Sequence, residues 1–254
     1  MNICVLVKQI PDPNNPYEMV SGRLKRDVAS NVLDPGDEFG VEAALQLADA
    51  NGGEVTVVSM GPDKAMEAIR RALSMGAHKG ILVSDDALAG SDALVTARVL
   101  AAAVKRAGFD LVIAGVESTD GYTGTVPGSV AQLLGVPQAT FAKHLEVKDS
   151  ILHVQRQTEK GYDDVECSLP CVVTVTAGVN EPRYPTFKGI MQAKTKPVEQ
   201  LKAGDLGLSA DDIAATQSVA SVEPAPARGA GEKIEDDGTG AAKIADFLKE
   251  AKVI

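Results

Sequence analysis

Short apolar runs alternate with stretches of helical period along the first half of the chain. "NICVLV", beginning at Asn2, is β-branched and apolar without polar alternation, the pattern of a strand covered on both faces. "EVTVVSM", "KGILVS" and "FDLVIAG" repeat it. The segments between them carry apolar residues at helical spacing. In "DPGDEFGVEAALQLADANGG", Val41, Ala44, Leu45 and Ala48 make one stripe, Asp34 or Asp37 supplies an N-cap and Gly52 a stop. "GPDKAMEAIRRALSMGA" predicts a second helix between Pro62 and Gly76, with His78 as a partner for its C-terminal end. "SDALVTARVLAAAVKRAG" predicts a third helix and "PGSVAQLLG" a short fourth. Strands and helices alternating at this spacing predict an α/β fold, a mostly parallel, doubly wound, Rossmann-like sheet with right-handed crossovers.

The pattern changes in two places. Before the first helix, "VSGRLKRD" suggests a short hairpin. After Gly135, "ATFAKHLEV", "ILHVQRQTE", "YDDVECSL" and "CVVTVTAG" follow one another as β-like runs, expected to be antiparallel additions to the sheet or a small sheet packed on it. From "NEPRYPTFKGIMQAK" onward the core-building pattern fades, and "SVEPAPARGAGEKIEDDGTG" has the composition of an exposed linker. The tail, "AAKIADFLKEAKVI", is again amphipathic, with Ile244, Phe247, Leu248 and Ala251 on one helical face. Such a helix either folds back on its own domain or docks on another chain. The division expected is an α/β nucleotide-binding domain over 1–185 and an extended C-terminal arm over 186–254.

Composition narrows the chemistry. A formal charge of −10 argues against a nucleic-acid partner, since phosphate backbones attract clustered Lys and Arg. It leaves room for a single nucleotide held by backbone amides. No segment approaches the roughly 20 apolar residues of a membrane span, and "MNICVLVKQIPDP" lacks the form of a signal peptide. Three cysteines, Cys4, Cys167 and Cys171, fit a reducing, cytoplasmic setting. "CSLPC" has no second pair to complete a metal set, and no serine elbow, "HExxH" or Cys–His pairing stands out. No group is marked for covalent catalysis.

One stretch does suggest a ligand. "AGVESTDGYTGTVPG", Ala114 to Gly128, follows a buried strand and is rich in glycine and hydroxyls. In open parallel sheets ligands sit beyond the carboxyl ends of strands. Gly121 and Gly124 let the backbone come close to a ligand, successive amides form an anion-binding concavity, and the helix starting near Pro127 adds its own N–H groups. Glu117 and Asp120 oppose a phosphate unless they turn elsewhere, which favours a nucleoside mono- or diphosphate over a triphosphate. The alternative is a turn-rich surface loop. No "GxxxxGK[ST]" and no GxGxxG after the first strand is present.

The segment "LPCVVTVTAGVNEPRYPTFKGIMQAKTKPVE", Leu169 to Glu199, closely resembles the signature region of the small (beta) subunit of electron-transfer flavoproteins. "VLVKQIPD", "DPGDEFGVEAAL", "SMGPDKAMEAIRRALSMGAHKGI" and "LKAGDLGL" extend the likeness over nearly the whole chain, in the family's order. The resemblance implies an adenine-nucleotide-binding fold and a heterodimer with a larger alpha subunit that holds most contacts to a redox FAD. The beta chain would complete the flavin surroundings, bury an AMP, and carry electrons from dehydrogenases such as acyl-CoA dehydrogenases toward a quinone-linked acceptor, without bond chemistry of its own.

Carried over by position, the nucleotide would meet Leu6, the turn Asp34, Pro35, Gly36 and Asp37, and Met60. It would also meet the loop Glu117, Ser118, Thr119, Asp120, Gly121, Tyr122, Thr123, Gly124, Thr125 and Val126. Phe187 takes the place of an exposed anchor for the partner dehydrogenase, with Ile190 and Met191 beside it, and the C-terminal helix would lie on the alpha subunit. Asp34, Tyr122 and "TVPG" depart from the family's usual residues. One branch of the family places a second FAD, used in electron bifurcation, where others hold AMP. A rival from another class is a stand-alone adenine-nucleotide-binding enzyme or stress-type regulator on the same kind of sheet.

Overall fold

A computed structural model of the chain describes residues 1–20, 23–26, 30–223, 229, 231, 233 and 235–254. They divide into two compact units, Met1–Ala220 and Ser221–Ile254. The first begins with β1 (Asn2–Leu6), β2 (Gln9–Pro11), β3 (Met19–Val20), β4 (Arg23–Leu24), β5 (Asn31–Leu33) and α1 (Pro35–Asn51). It continues through β6 (Glu54–Met60), α2 (Met66–Met75), β7 (Lys79–Val83), α3 (Ala93–Ala107), β8 (Leu111–Gly115) and α4 (Val126–Leu134). Then come β9 (Gln138–Lys148), β10 (Ile151–Thr158), β11 (Gly161–Ser168), β12 (Cys171–Val175), α5 (Phe187–Ala193) and β13 (Val198–Leu201). The second unit carries α6 (Gly240–Glu250).

The main sheet has the order β11-β10-β9-β12-β8-β1-β6-β7-β13. Pairings from β9 to β13 are all parallel, and β10 and β11 extend one edge antiparallel. The α/β, mostly parallel, doubly wound arrangement is therefore as the apolar pattern predicts. Along β1, Ile3 and Val5 enter the core shared with α1 and α2, while Cys4 and Leu6 enter the core shared with α3 and α4. Each fully buried aliphatic side chain in these layers contributes about 1.5–3 kcal/mol. The caps also follow local chemistry: Asp34 precedes α1, Asp92 precedes α3, and Gly52, Gly76, Gly108 and Gly135 close their helices. No helix among the described residues is long and apolar enough to cross a membrane.

Several details differ from the local pattern. "CVVTVTAG" forms β12, which is not an antiparallel addition: it inserts in parallel between β8 and β9, with every residue buried. Its unbroken apolar run is the mark of a strand covered on both faces. "KPVEQL", read as outside the core, supplies the edge strand β13 beside β7. An edge strand has one unpaired side and needs little apolar content, so its sequence carries a weak signal. His78 does not cap α2. Its Nδ1 accepts from the Val55 N–H at 3.0 Å, and its own N–H donates to the Val55 carbonyl, joining β6 to β7. β3 and β4 form the expected hairpin, with residues 21, 22 and 27 of "VSGRLKRD" outside the described residues. Much of the predicted linker likewise lies outside them. On α6, Ile244 and Phe247 are exposed.

Candidate functional site

β6 and β7 lie on one side of β1, whereas β8 and β12 lie on the other. The chain therefore reverses direction across the sheet beside β1, and the carboxyl ends of β1, β6 and β8 leave a crevice there. It holds a cleft of about 370 Å³. Leu6, Met60 and Ala114 from the strand ends, with Leu88 and Leu100, line its apolar part, and Lys8, Arg26, Asp37, Asp92 and Glu117 bring charge to it.

The wall formed by residues 117–126 is tied to the start of α1. Asp34, fully buried, accepts from the Gly36 N–H (2.9 Å) and the Thr119 hydroxyl (2.8 Å) on Oδ1, and from the Thr119 N–H (2.6 Å) on Oδ2. One carboxylate thus caps α1 and pins the loop. Asp37 accepts from the Lys8 N–H at 2.8 Å. Burial first, and then the charge of Asp34, push the Asp37 carboxyl well above the usual carboxylate range.

Asp120 resolves the problem of an acidic loop around an anion. Its side chain has no exposed surface, and its two oxygens are taken by Lys8 Nζ (2.7 Å) and Arg26 Nε (2.8 Å). Burial raises the Asp120 carboxyl, but Lys8 and Arg26 outweigh it and hold the group below its ordinary value. The charge of Asp120 is therefore neutralised within the cleft wall, while Glu117 keeps its carboxylate in the cleft lining.

Beyond Asp120 the chain turns sharply. The Gly121 and Tyr122 N–H groups fold back to the Ser118 carbonyl, and Tyr122 and Gly124 take positive φ, 49° and 63°. Positive φ is costly for Tyr122 and ordinary for Gly124. After this turn the N–H groups of Thr123, Gly124, Thr125 and Val126 find no acceptor among the described residues. They precede or begin α4, whose N-terminal end favours negative charge.

The structure brings Leu6, Asp37, Met60, Glu117, Ser118, Gly121, Thr123, Gly124 and Val126 to the cleft. Asp34, Pro35, Gly36, Thr119, Asp120, Tyr122 and Thr125 stand outside its lining. Of these, Asp34, Thr119 and Asp120 act through the hydrogen bonds just described. Sequence reasoning missed Lys8, Arg26 and Asp92. Lys8 ends the first apolar run, two residues past β1, a usable signal, whereas nothing local marks Arg26. Asp92 caps α3 through the Val95 N–H and also accepts from the Thr216 N–H and hydroxyl and the Gln217 N–H. It thereby pins the end of the first unit beside the cleft.

A second feature stands apart from it. Phe187 is 82% exposed on α5, with Ile190 and Met191 also exposed beside it and Tyr184 exposed just upstream. The neighbouring "NEPR" segment is held by Arg183, whose guanidinium pairs with Glu42 at 2.8 Å and Asp49 at 3.1 Å on α1.

The electron transfer flavoprotein domain family matches residues 23–206. The whole chain is 42% identical to the electron transfer flavoprotein subunit beta of Mycobacterium tuberculosis, covering 99% of that protein. It is 36% identical to the subunit beta of Methylophilus methylotrophus, with 99% of each chain covered. It is 37% identical, over 100% of both chains, to the caffeyl-CoA reductase-Etf complex subunit CarD of Acetobacterium woodii. The family match and these full-length relatives lead to one conclusion: the chain belongs to the electron transfer flavoprotein family as a beta subunit, an electron-carrier chain that works with an alpha partner.

Proposed function

We propose that the cleft beside β1 binds AMP, and that the chain completes the FAD site of its alpha partner to relay electrons from acyl-CoA or related dehydrogenases to a quinone-linked acceptor. The observation that carries the nucleotide reading is the row of N–H groups from Thr123 to Val126 without an acceptor among the described residues, beside a wall in which Asp120 is neutralised by Lys8 and Arg26. A phosphate accepts from such groups without a dedicated cation. Leu6, Met60 and Leu100 offer apolar surface for a base, and Glu117 offers an acceptor for ribose hydroxyls. FAD, when bound between the chains, supplies the electron-accepting chemistry. The residues of this chain bind, orient and exclude water. The exposed Phe187, Ile190 and Met191 form an apolar patch suited to anchoring the dehydrogenase.

A second reading places FAD itself in the cleft, for electron bifurcation, and the full-length likeness to a caffeyl-CoA reductase complex subunit favours weighing it. The cleft, about 370 Å³, lies at the small end of ligand pockets, which span roughly 300–1,000 Å³. A mononucleotide fits that volume, whereas FAD, with more than twice its atoms, would have to extend beyond it, past Gly124 and Pro127 into the adjoining cavity. The heterodimer, co-expressed with its alpha chain, is denatured and its released nucleotides are separated and counted. Equal amounts of FAD and AMP are expected. Two FADs without AMP would establish the second reading, and FAD alone would remove the nucleotide role of the cleft.

A further inference from the structure

α5 has seven residues, far short of the ~12–15 at which an isolated helix is even marginally stable in water. What holds it is a reciprocal clamp with α2. Arg70 Nη1 donates to the carbonyls of Ala193 (2.6 Å) and Lys196 (2.8 Å), at the end of α5. Lys196 Nζ donates to the carbonyls of Leu73 (3.0 Å) and Ala77 (2.6 Å), at the end of α2. Each cation binds one carbonyl in the last turn of the other segment's helix and one just beyond it, at the end of the helix where positive charge is favoured.

The backbones meet closely as well. A methyl group at Gly189 would lie 2.5 Å from the Ser74 carbonyl oxygen, so only glycine permits this approach. Ala193 is buried beneath, while Phe187, Ile190 and Met191 remain open above. Burial depresses the pKa of Lys196, the direction expected for an ammonium removed from solvent.

We infer that Arg70 and Lys196 are positioning residues for dehydrogenase capture: their clamp holds α5 in one pose, so that Phe187 is presented already ordered when the partner arrives. This rests on the reading of the Phe187 patch as the dehydrogenase anchor. Without the clamp, α5 must be ordered during association, and that conformational entropy subtracts from affinity. The flavin and its surroundings are untouched, so the loss falls on the KM for the heterodimer and not on turnover at saturation.

The test uses the co-purified heterodimer as electron acceptor for an acyl-CoA dehydrogenase supplied with its acyl-CoA. Lys196→Met is expected to raise KM roughly 5–30-fold, the effect of losing one or two net hydrogen bonds, with kcat and FAD content unchanged. Lys196→Arg, which can still donate to both carbonyls, is expected to restore most of the loss. Gly189→Ala attacks the same contact from the other helix and should also raise KM; it decides the matter if Lys196→Met fails to retain FAD. Hydrogen exchange at residues 193–196 should accelerate in each weakened variant. Phe187→Ala separates the two ideas. If it raises KM while Lys196→Met and Gly189→Ala do not, the clamp has no positioning role. If Phe187→Ala leaves KM unchanged, the anchor reading fails and the inference falls with it.

Discussion

Replacing Asp34 by Asn alters a single atom at the junction of α1 and the cleft wall. In the native site three donors converge on the carboxylate: the Gly36 N–H and Thr119 hydroxyl on one oxygen, the Thr119 N–H on the other. An amide has only one acceptor oxygen, so one NH₂ group must face an N–H or O–H donor in a fully buried place. Losing a hydrogen bond to a charged group costs about 1.5–3 kcal/mol. Some of this is returned, because the charge of Asp34 acts against that of Asp37. The net loss expected is roughly 1–2 kcal/mol, a factor of about 5–30 in equilibrium. It should appear where the loop is needed, in AMP retention by the purified heterodimer. Equilibrium dialysis with chromatography of bound nucleotide would measure it, alongside hydrogen exchange of residues 117–126. Thr119→Val, which removes only the hydroxyl, should act in the same direction but less. The double variant should lose less than the sum, since both changes break one network. Native AMP affinity together with native exchange in Asp34→Asn would refute Asp34 as the anchor of the loop.

Two further outcomes follow from buried titratable groups. The folded pKa of Asp37 lies above its unfolded value of about 3.9, so the stability it contributes is complete below that value and is lost as pH rises through the folded pKa. Asp37→Asn, neutral throughout, should flatten the thermal midpoint against pH across that window, and an unchanged slope would contradict the assignment. Burial pushes the Cys4 thiol up to about 12 against a smaller opposing effect of Lys79, while burial and then Cys167 raise Cys171. All three cysteines are free and buried. An aromatic disulfide reagent at neutral pH should therefore find no thiol in the native heterodimer that belongs to this chain, and three after unfolding. Rapid native labelling of any of them would show that the core opens more readily than its packing implies.

Much of the first unit was legible because its information is local. The β-branched runs, the cap Asp34 and the closing glycines Gly52 and Gly76 each act within one or two turns of chain, and they define the α/β alternation on their own. The glycine-rich loop was equally legible as the end of a strand. What contiguous residues did not contain was the insertion of β12 between β8 and β9, the edge strand β13, or the two bonds that make His78 a bridge from β6 to β7. The same holds for the site: Lys8 and Arg26 reach Asp120 across sequence separations of 112 and 94 residues. Periodicity reports which face of an element is buried, since that depends only on the spacing of side chains along one backbone. Which carboxylate is neutralised, and which amides are left without partners, depends on where the crossovers bring distant segments together, and that was decided only in the folded chain.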